Sequence, residues 1–250
     1  MQVLAVIPAR YGSTRFPGKP LVKLGGKTIL QRVWERARAM DCLDQVVVAT
    51  DDERICEHAQ ELGALVQMTA DTHRSGTDRI AEVAQDWPDC ELVINIQGDE
   101  PFVREDQVEA LVRVLQRTDA EIATLARRLA QAEDLFNPNV VKVVFNRRNE
   151  AMYFSRSTIP YIRDLDKKEW FAEQCFYQHL GMYAFRRDVL LEVTALLPSR
   201  YEQLESLEQL RWLDYGKRIQ VALTDQPGMG IDTPADLERA EAYLKKHGTS

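Results

Sequence analysis

Val3-Leu4-Ala5-Val6-Ile7-Pro8-Ala9-Arg10-Tyr11-Gly12-Ser13-Thr14-Arg15-Phe16-Pro17-Gly18-Lys19-Pro20 sets an unbroken apolar run directly against a loop carrying three cations, two hydroxyls and two glycines. A short run of this kind reads as a strand buried on both faces. Downstream, similar runs alternate with helical patterns. Residues 28–40 place Ile29, Leu30, Val33, Trp34, Ala37 and Met40 on one helical face, and Val46–Thr50 is the next strand. Asp51-Asp52 opens a helix that Gly63 closes, 64–68 is a third strand, and Leu92–Ile96 is a fourth. Helices are expected on either side of that fourth strand, at about 77–86 and 104–117. Strands alternating with helices predict a mostly parallel central sheet flanked by helices, an α/β fold.

The second half is less regular. Residues 140–145 and 151–154 suggest a hairpin, 180–185 a strand, 202–215 a helix, 219–223 a strand and 234–246 a closing helix capped by Asp232 or Thr233. The polar stretch 163–174 fits none of these. The expectation is one α/β domain over 1–250 with an antiparallel elaboration, an excursion around 150–190.

Composition narrows the function. The 250 residues are 45% hydrophobic and 28% charged, with Lys+Arg 32 against Asp+Glu 39 and a net charge of −7. That balance argues against a protein that coats nucleic acid or anionic membrane. Apolar runs of about six residues fall far short of the roughly 20 a membrane helix needs, and Met1-Gln2 leads into a segment too short for a signal peptide. The four cysteines, at 42, 56, 90 and 175, form no C-x-x-C pair, so a zinc site or disulfide framework is not expected. A cytoplasmic protein is the resulting expectation.

The loop after the first strand lies at the sheet edge where open α/β folds bind ligands. Glycines admit a phosphate to the backbone, and Arg10, Arg15 and Lys19 neutralise it. Its spacing fits neither a Walker A loop nor G-x-G-x-x-G. At the same edge, Gln97-Gly98-Asp99-Glu100-Pro101 follows the fourth strand. Asp99 is a candidate Mg²⁺ ligand, with Asp232 in Gly230-Ile231-Asp232-Thr233-Pro234 as its candidate partner. Either Asp could equally cap the helix that follows it. Ser75-Gly76-Thr77-Asp78-Arg79 offers amides, a hydroxyl and a cation to a base or sugar, although Ser75 with Asp78 also reads as a capping box. His179 opens an apolar segment, where a structural histidine is the commoner case. Glu208 and Arg211 could be a surface pair on one helix.

Taken together, these segments resemble the 3-deoxy-manno-octulosonate (KDO) cytidylyltransferases. The likeness runs through 7–20, Ala49-Thr50-Asp51, 75–79, 97–101, 137–142, Tyr153-Phe154-Ser155-Arg156, His179-Leu180-Gly181, 207–211 and 230–234, in the family's order. Phe16 stands where Leu is usual and Asp78 where Glu is common. The resemblance implies a nucleotidyltransferase fold of the glycosyltransferase-A type and transfer of CMP from CTP to KDO for lipopolysaccharide synthesis. It implies that Ala9, Arg10, Ser13, Arg15, Lys19, Thr77 and Arg79 bind the nucleotide, and that Asp99 and Asp232 bind Mg²⁺. With Lys19 these two make the catalytic set. Gln97, Arg156, His179, Glu208 and Gln209 would line the sugar-acid pocket, and the irregular 163–174 stretch would belong to a homodimer contact. A cytidylyltransferase for an 8-amino KDO analogue or sialic acid, or a CTP-binding module without catalysis, are the alternatives.

Overall fold

The apolar run that opens the chain becomes β1 (Val3–Ala9), in which Leu4, Ala5, Val6 and Ile7 are wholly inaccessible to water. A computed structural model describes residues 1–12 and 16–248. The chain divides into two compact units, Met1–Val108 with Gly228–Ser250, and Glu109–Pro227.

In the first unit, β1 leads through a one-turn 3-10 helix (Lys19–Leu21) to a ribbon of β2 (Lys23–Leu24) and β3 (Lys27–Thr28). Thr28 then caps α1 (Ile29–Arg38), its side chain accepting the Gln31 amide at 3.0 Å. The face expected from periodicity is the buried one: Ile29, Leu30, Val33, Trp34 and Ala37. Next come β4 (Gln45–Thr50), α2 (Glu53–Glu61) with Asp52 as its cap, and β5 (Leu65–Met68). They are followed by α3 (Gly76–Gln85) and β6 (Leu92–Asn95). β1 pairs in parallel with both β4 and β6, and β4 pairs in parallel with β5, giving the order β6-β1-β4-β5. The parallel α/β sheet is therefore present as expected, and it brings the exits of β1, β4 and β6 to one edge. The division between units falls inside α4 (Glu105–Arg117).

The second unit is mixed. β7 (Ile122–Arg128) was not among the expected strands. β8 (Lys142–Phe145) and β9 (Ala151–Ser155) form the expected antiparallel hairpin. β10 (Tyr177–Arg186) runs antiparallel to β7 and to β8. The 163–174 stretch contains a 3-10 turn at Trp170–Glu173, and Trp170 is buried with Leu129, Leu135 and Phe176. After α5 (Arg187–Thr194), the helix expected over 202–215 is two: α6 (Arg200–Glu205) and α7 (Gln209–Asp214). They break at Ser206, whose φ of 51° is left-handed and ends α6. β11 (Ile219–Leu223) is parallel to β7.

The chain then returns to the first unit as α8 (Pro234–His247), where Ala240 and Leu244 share a core cluster with Leu24, Ile29 and Ile231. Among the described residues no helix is long and apolar enough to cross a membrane, and no disulfide forms.

Candidate active site

The exit of β1, the turn after β6 and the segment before α8 meet around one side chain. Lys19 Nζ lies 2.6 Å from Asp99 Oδ2 and 3.1 Å from Asp232 Oδ1. Three local features produce this meeting. Gly18 takes a φ of 70° with its amide 2.9 Å from the Tyr11 carbonyl, which turns the loop and starts the short helix bearing Lys19. The Ile231 amide donates to the Asp99 carbonyl at 2.9 Å, so two segments far apart in sequence are tied by their backbones. Finally, neither Asp caps a helix. α4 begins at Glu105, well past Asp99, while α8 is capped by Thr233 in a capping box with Asp236.

Gly98 allows the turn to sit against β1. A Cβ there would lie 2.7 Å from the Pro8 carbonyl oxygen. Glu100, next to Asp99 in the chain, belongs to the cluster. Its carboxyl is pushed up to about 7, by burial first and then by the charges of Asp99 and Asp232. Tyr11 is covered by Arg54, whose guanidinium carbon lies 3.3 Å from the ring centroid while its nitrogens bind Asp52. This anchors the start of the loop to the head of α2.

Lys19, Asp99 and Asp232 line a cleft of about 340 Å³ together with Pro8, Ala9, Arg10, Gln97, Gly98, His73, Arg74, Ser75, Gly76 and Arg79. Of the expected nucleotide-binding residues, Ala9, Arg10, Lys19 and Arg79 are thus brought together. Ser13 and Arg15 lie outside the described residues. Thr77 is buried in the first turn of α3 and does not line the cleft. Arg79 is also buried, with its guanidinium held by Asp51 at 2.8 Å and by the Thr69 hydroxyl. The capping box of Ser75 and Asp78 forms as drawn from sequence.

Asp99 and Asp232 present hard oxygen donors to this cleft, bridged by one ammonium that offsets half their charge. Two carboxylates are the protein's usual share of a Mg²⁺ site, phosphate and water oxygens completing it. Among the described residues no set of three or more His, Cys, Asp or Glu side chains is disposed to enclose a metal. The donor set therefore fits Mg²⁺ carried in with a polyphosphate and does not fit a metal caged by protein alone.

Of the expected sugar-acid residues, Gln97 lines this cleft, whereas Arg156, His179, Glu208 and Gln209 belong to the second unit. There Arg156 is tied down on every side. Its Nε donates to the Glu205 carbonyl at 2.7 Å, Nη1 to Pro138 O at 3.1 Å and Nη2 to Ser206 O at 3.3 Å. Glu205 also accepts the Ser155 hydroxyl and the Arg156 amide, at 2.6 and 2.9 Å, bolting the end of β9 to the end of α6. Lys142, wholly buried, donates to the carbonyls of Asn137, Val140 and Arg156 and fixes the same corner. Arg211 makes a bidentate pair with Glu202 across the break between helices.

His179 lies edge-on to Phe154, ring centroids 4.9 Å apart. The Thr124 hydroxyl donates to the Met182 carbonyl at 2.9 Å, so at 3.0 Å it accepts from His179 Nε2–H. Burial lowers the His179 pKa to about 3, leaving a neutral ring. Next to it stands Tyr183, a residue not singled out from sequence. Its buried hydroxyl makes no regular hydrogen bond among the described residues, and burial with the nearby Glu208 charge raises its pKa. An unsatisfied hydroxyl beside a neutral imidazole suits a polyhydroxylated ligand.

A family described as Cytidylyltransferase matches residues 4–219. The chain is 49% identical to the 3-deoxy-manno-octulosonate cytidylyltransferase of Parabacteroides distasonis over 98% of each chain. It is 44% identical to the protein of that name from Thermodesulfovibrio yellowstonii, over 99% of this chain and all of the other. A solved structure of CMP:2-keto-3-deoxy-manno-octonic acid synthetase complexed with CTP superposes with a TM-score of 0.91 at 42% identity, covering 98% of this chain and 99% of that one.

Proposed function

The chain belongs to the 3-deoxy-manno-octulosonate cytidylyltransferase family, and from that premise we propose that it transfers CMP from CTP to the anomeric hydroxyl of KDO. The products are CMP-KDO and pyrophosphate, in the general setting of lipopolysaccharide synthesis. The observation that carries this reading is the Asp99–Lys19–Asp232 bridge at the foot of a cationic, glycine-walled cleft.

In the reaction the KDO hydroxyl oxygen attacks the α-phosphorus. The bond from that phosphorus to the bridging oxygen breaks, pyrophosphate departs, and the hydroxyl proton passes to solvent. Both partners are anions, so the site must supply positive charge before they can approach. Arg10 and Lys19 supply it from the loop. Asp99 and Asp232 are the residues that would hold Mg²⁺, which would supply Lewis-acid charge to the phosphates. Lys19, set between the two carboxylates, is the ammonium that would meet phosphate oxygens. Arg79 is a positioning residue here: paired with Asp51, it fixes the wall of the cleft rather than reaching for the nucleotide. In the second unit, His179, Tyr183 and Glu208 offer donors and acceptors to sugar hydroxyls, with Gln209 in the following helix turn. No side chain need form a covalent bond, and positioning with electrostatics provides most of the rate.

We further propose a cytoplasmic homodimer. Leu197, Leu204 and Met152 are 74%, 72% and 64% exposed on the second unit, apolar surface of the kind an interface covers. The function is tested by pyrophosphate release from CTP and Mg²⁺ with KDO, without it, and with sialic acid in its place. Release that requires KDO and ceases with a chelator supports the reading. CTP binding without release would point to a non-catalytic module, and release with another sugar acid alone would redirect the acceptor.

A further inference from the structure

We propose that His73, held by Glu82, selects cytosine over uracil in the nucleotide cleft; this rests on the reading that the cleft receives CTP. The two bases differ at position 4, where cytosine carries an amino donor and uracil a carbonyl acceptor. A group that can only accept, placed against that position, favours one and repels the other.

His73 has the chemistry of such a group. It lines the same cleft as Lys19, Asp99 and Asp232. With the triphosphate drawn to Arg10 and Lys19, residues 73–76 are left for the nucleoside. Backbone comes close here, since a Cβ at Gly76 would meet the Pro8 side chain at 3.5 Å. His73 Nε2 contacts Glu82 Oε2, and the same carboxylate oxygen accepts the Ala70 amide at 3.1 Å. A carboxylate only accepts, so Nε2 carries the proton, and in the neutral ring Nδ1 is a bare acceptor. Nδ1 makes no hydrogen bond among the described residues. Glu82 stays ionised and so keeps accepting: its burial alone would raise its pKa, but the bonds from His73 and Ala70 lower it.

The segment bearing His73 is also held at both ends. Thr69 binds the Thr50 carbonyl through its amide at 2.8 Å and receives the Arg79 guanidinium, while Ser75 is fixed by the capping box with Asp78. The tautomer and the position of the ring are therefore set before nucleotide arrives, which is the condition for a hydrogen bond to discriminate rather than merely attract.

The experiment is calorimetric binding of CTP and UTP to the full chain, in the absence of KDO, for wild type, His73→Phe and Glu82→Ala. The expected result is that wild type prefers CTP by about tenfold or more, the worth of one such hydrogen bond and its mismatch. His73→Phe should collapse the ratio toward one by weakening CTP. Glu82→Ala, which frees the ring to place its proton on Nδ1, should reduce the ratio with the histidine still present. Equal loss of both nucleotides, an unchanged ratio in either folded variant, or no preference in wild type would each overturn the inference. If His73→Phe does not fold, Glu82→Ala and the wild-type ratio still decide. The reading beneath it fails separately: wild type that prefers CTP through His73 but releases no pyrophosphate with KDO keeps the inference and sinks the acceptor assignment.

Discussion

Replacing Gly98 by Ala tests how tightly the metal-side turn is seated. The new Cβ would stand 2.7 Å from the Pro8 carbonyl oxygen, against the 3.4 Å at which ordinary contact begins, so the turn must retreat by about 0.7 Å. The obstacle is backbone in the middle of a buried sheet edge, and Pro8 has no side-chain freedom with which to yield. Overpacking of this kind costs about 1–3 kcal/mol, and at roughly 2–4 °C per kcal/mol for a chain of this size the melting temperature should fall by about 2–12 °C. The greater effect should fall on turnover. Asp99 follows Gly98 directly, and its carbonyl is tied to Ile231 beside Asp232, so a displaced turn moves both carboxylates relative to the loop of Lys19. A misplacement approaching 1 Å is worth about a hundredfold in rate. The assay is pyrophosphate release at saturating CTP and KDO, with melting followed in parallel. Gly76→Ala is the control for stability, because its Cβ meets Pro8 at an ordinary 3.5 Å and lies in the first turn of a helix. Gly98→Ala that melts like wild type and keeps wild-type kcat would refute the reasoning about close approach.

Asp99→Asn should lose turnover by about 10²–10³-fold, as for other preorganised charge in active sites, while melting within a few degrees of wild type; saturation with Mg²⁺ restoring full kcat would remove it from the metal site. Lys19→Ala should raise the CTP requirement by about 10–100-fold, the scale of a charge-assisted hydrogen bond, and an unchanged KM for CTP would make Lys19 only a clamp on Asp99. For His179 the sign follows from its lowered pKa. Between about 3 and 6.5 the unfolded chain binds a proton that the folded chain refuses, so stability is lost as pH falls below 6.5. Denaturant melts of wild type and His179→Gln from pH 7 to 5 should diverge by up to about 1.4 kcal/mol per pH unit; parallel curves would show that the imidazole titrates normally in the fold.

How much of this was legible in sequence depended on whether the signal was local. The strands of the first unit announce themselves because burial on both faces demands a short, mostly apolar run, as in Val3–Ile7 and in Leu92–Ile96, which Asn95 alone interrupts. Caps were equally plain at Asp52 and Ser75. β7 was not, because Ile-Ala-Thr-Leu-Ala-Arg-Arg mixes good helix formers with few β-branched residues. The break at Ser206 was hidden for a related reason: a non-glycine residue in the left-handed region carries no sequence mark. Tyr183 was passed over because nothing in a β-strand pattern distinguishes a tyrosine that packs from one whose hydroxyl makes no regular hydrogen bond among the described residues.

The deepest gap concerns Asp99 and Asp232. Each precedes a helix, and from sequence each could be spent as a cap, which would leave no pair to hold a metal. Thr233 settles one case: by taking the cap of α8 with Asp236, it leaves Asp232 outside the helix. Distance settles the other, since the chain runs on to Glu105 before α4 begins. What joins the two carboxylates is a bond between main-chain atoms, Ile231 N to Asp99 O, and main-chain atoms are the same in every residue. The side chains therefore carry the chemistry of the site, while the contact that assembles it is written only in the course of the backbone.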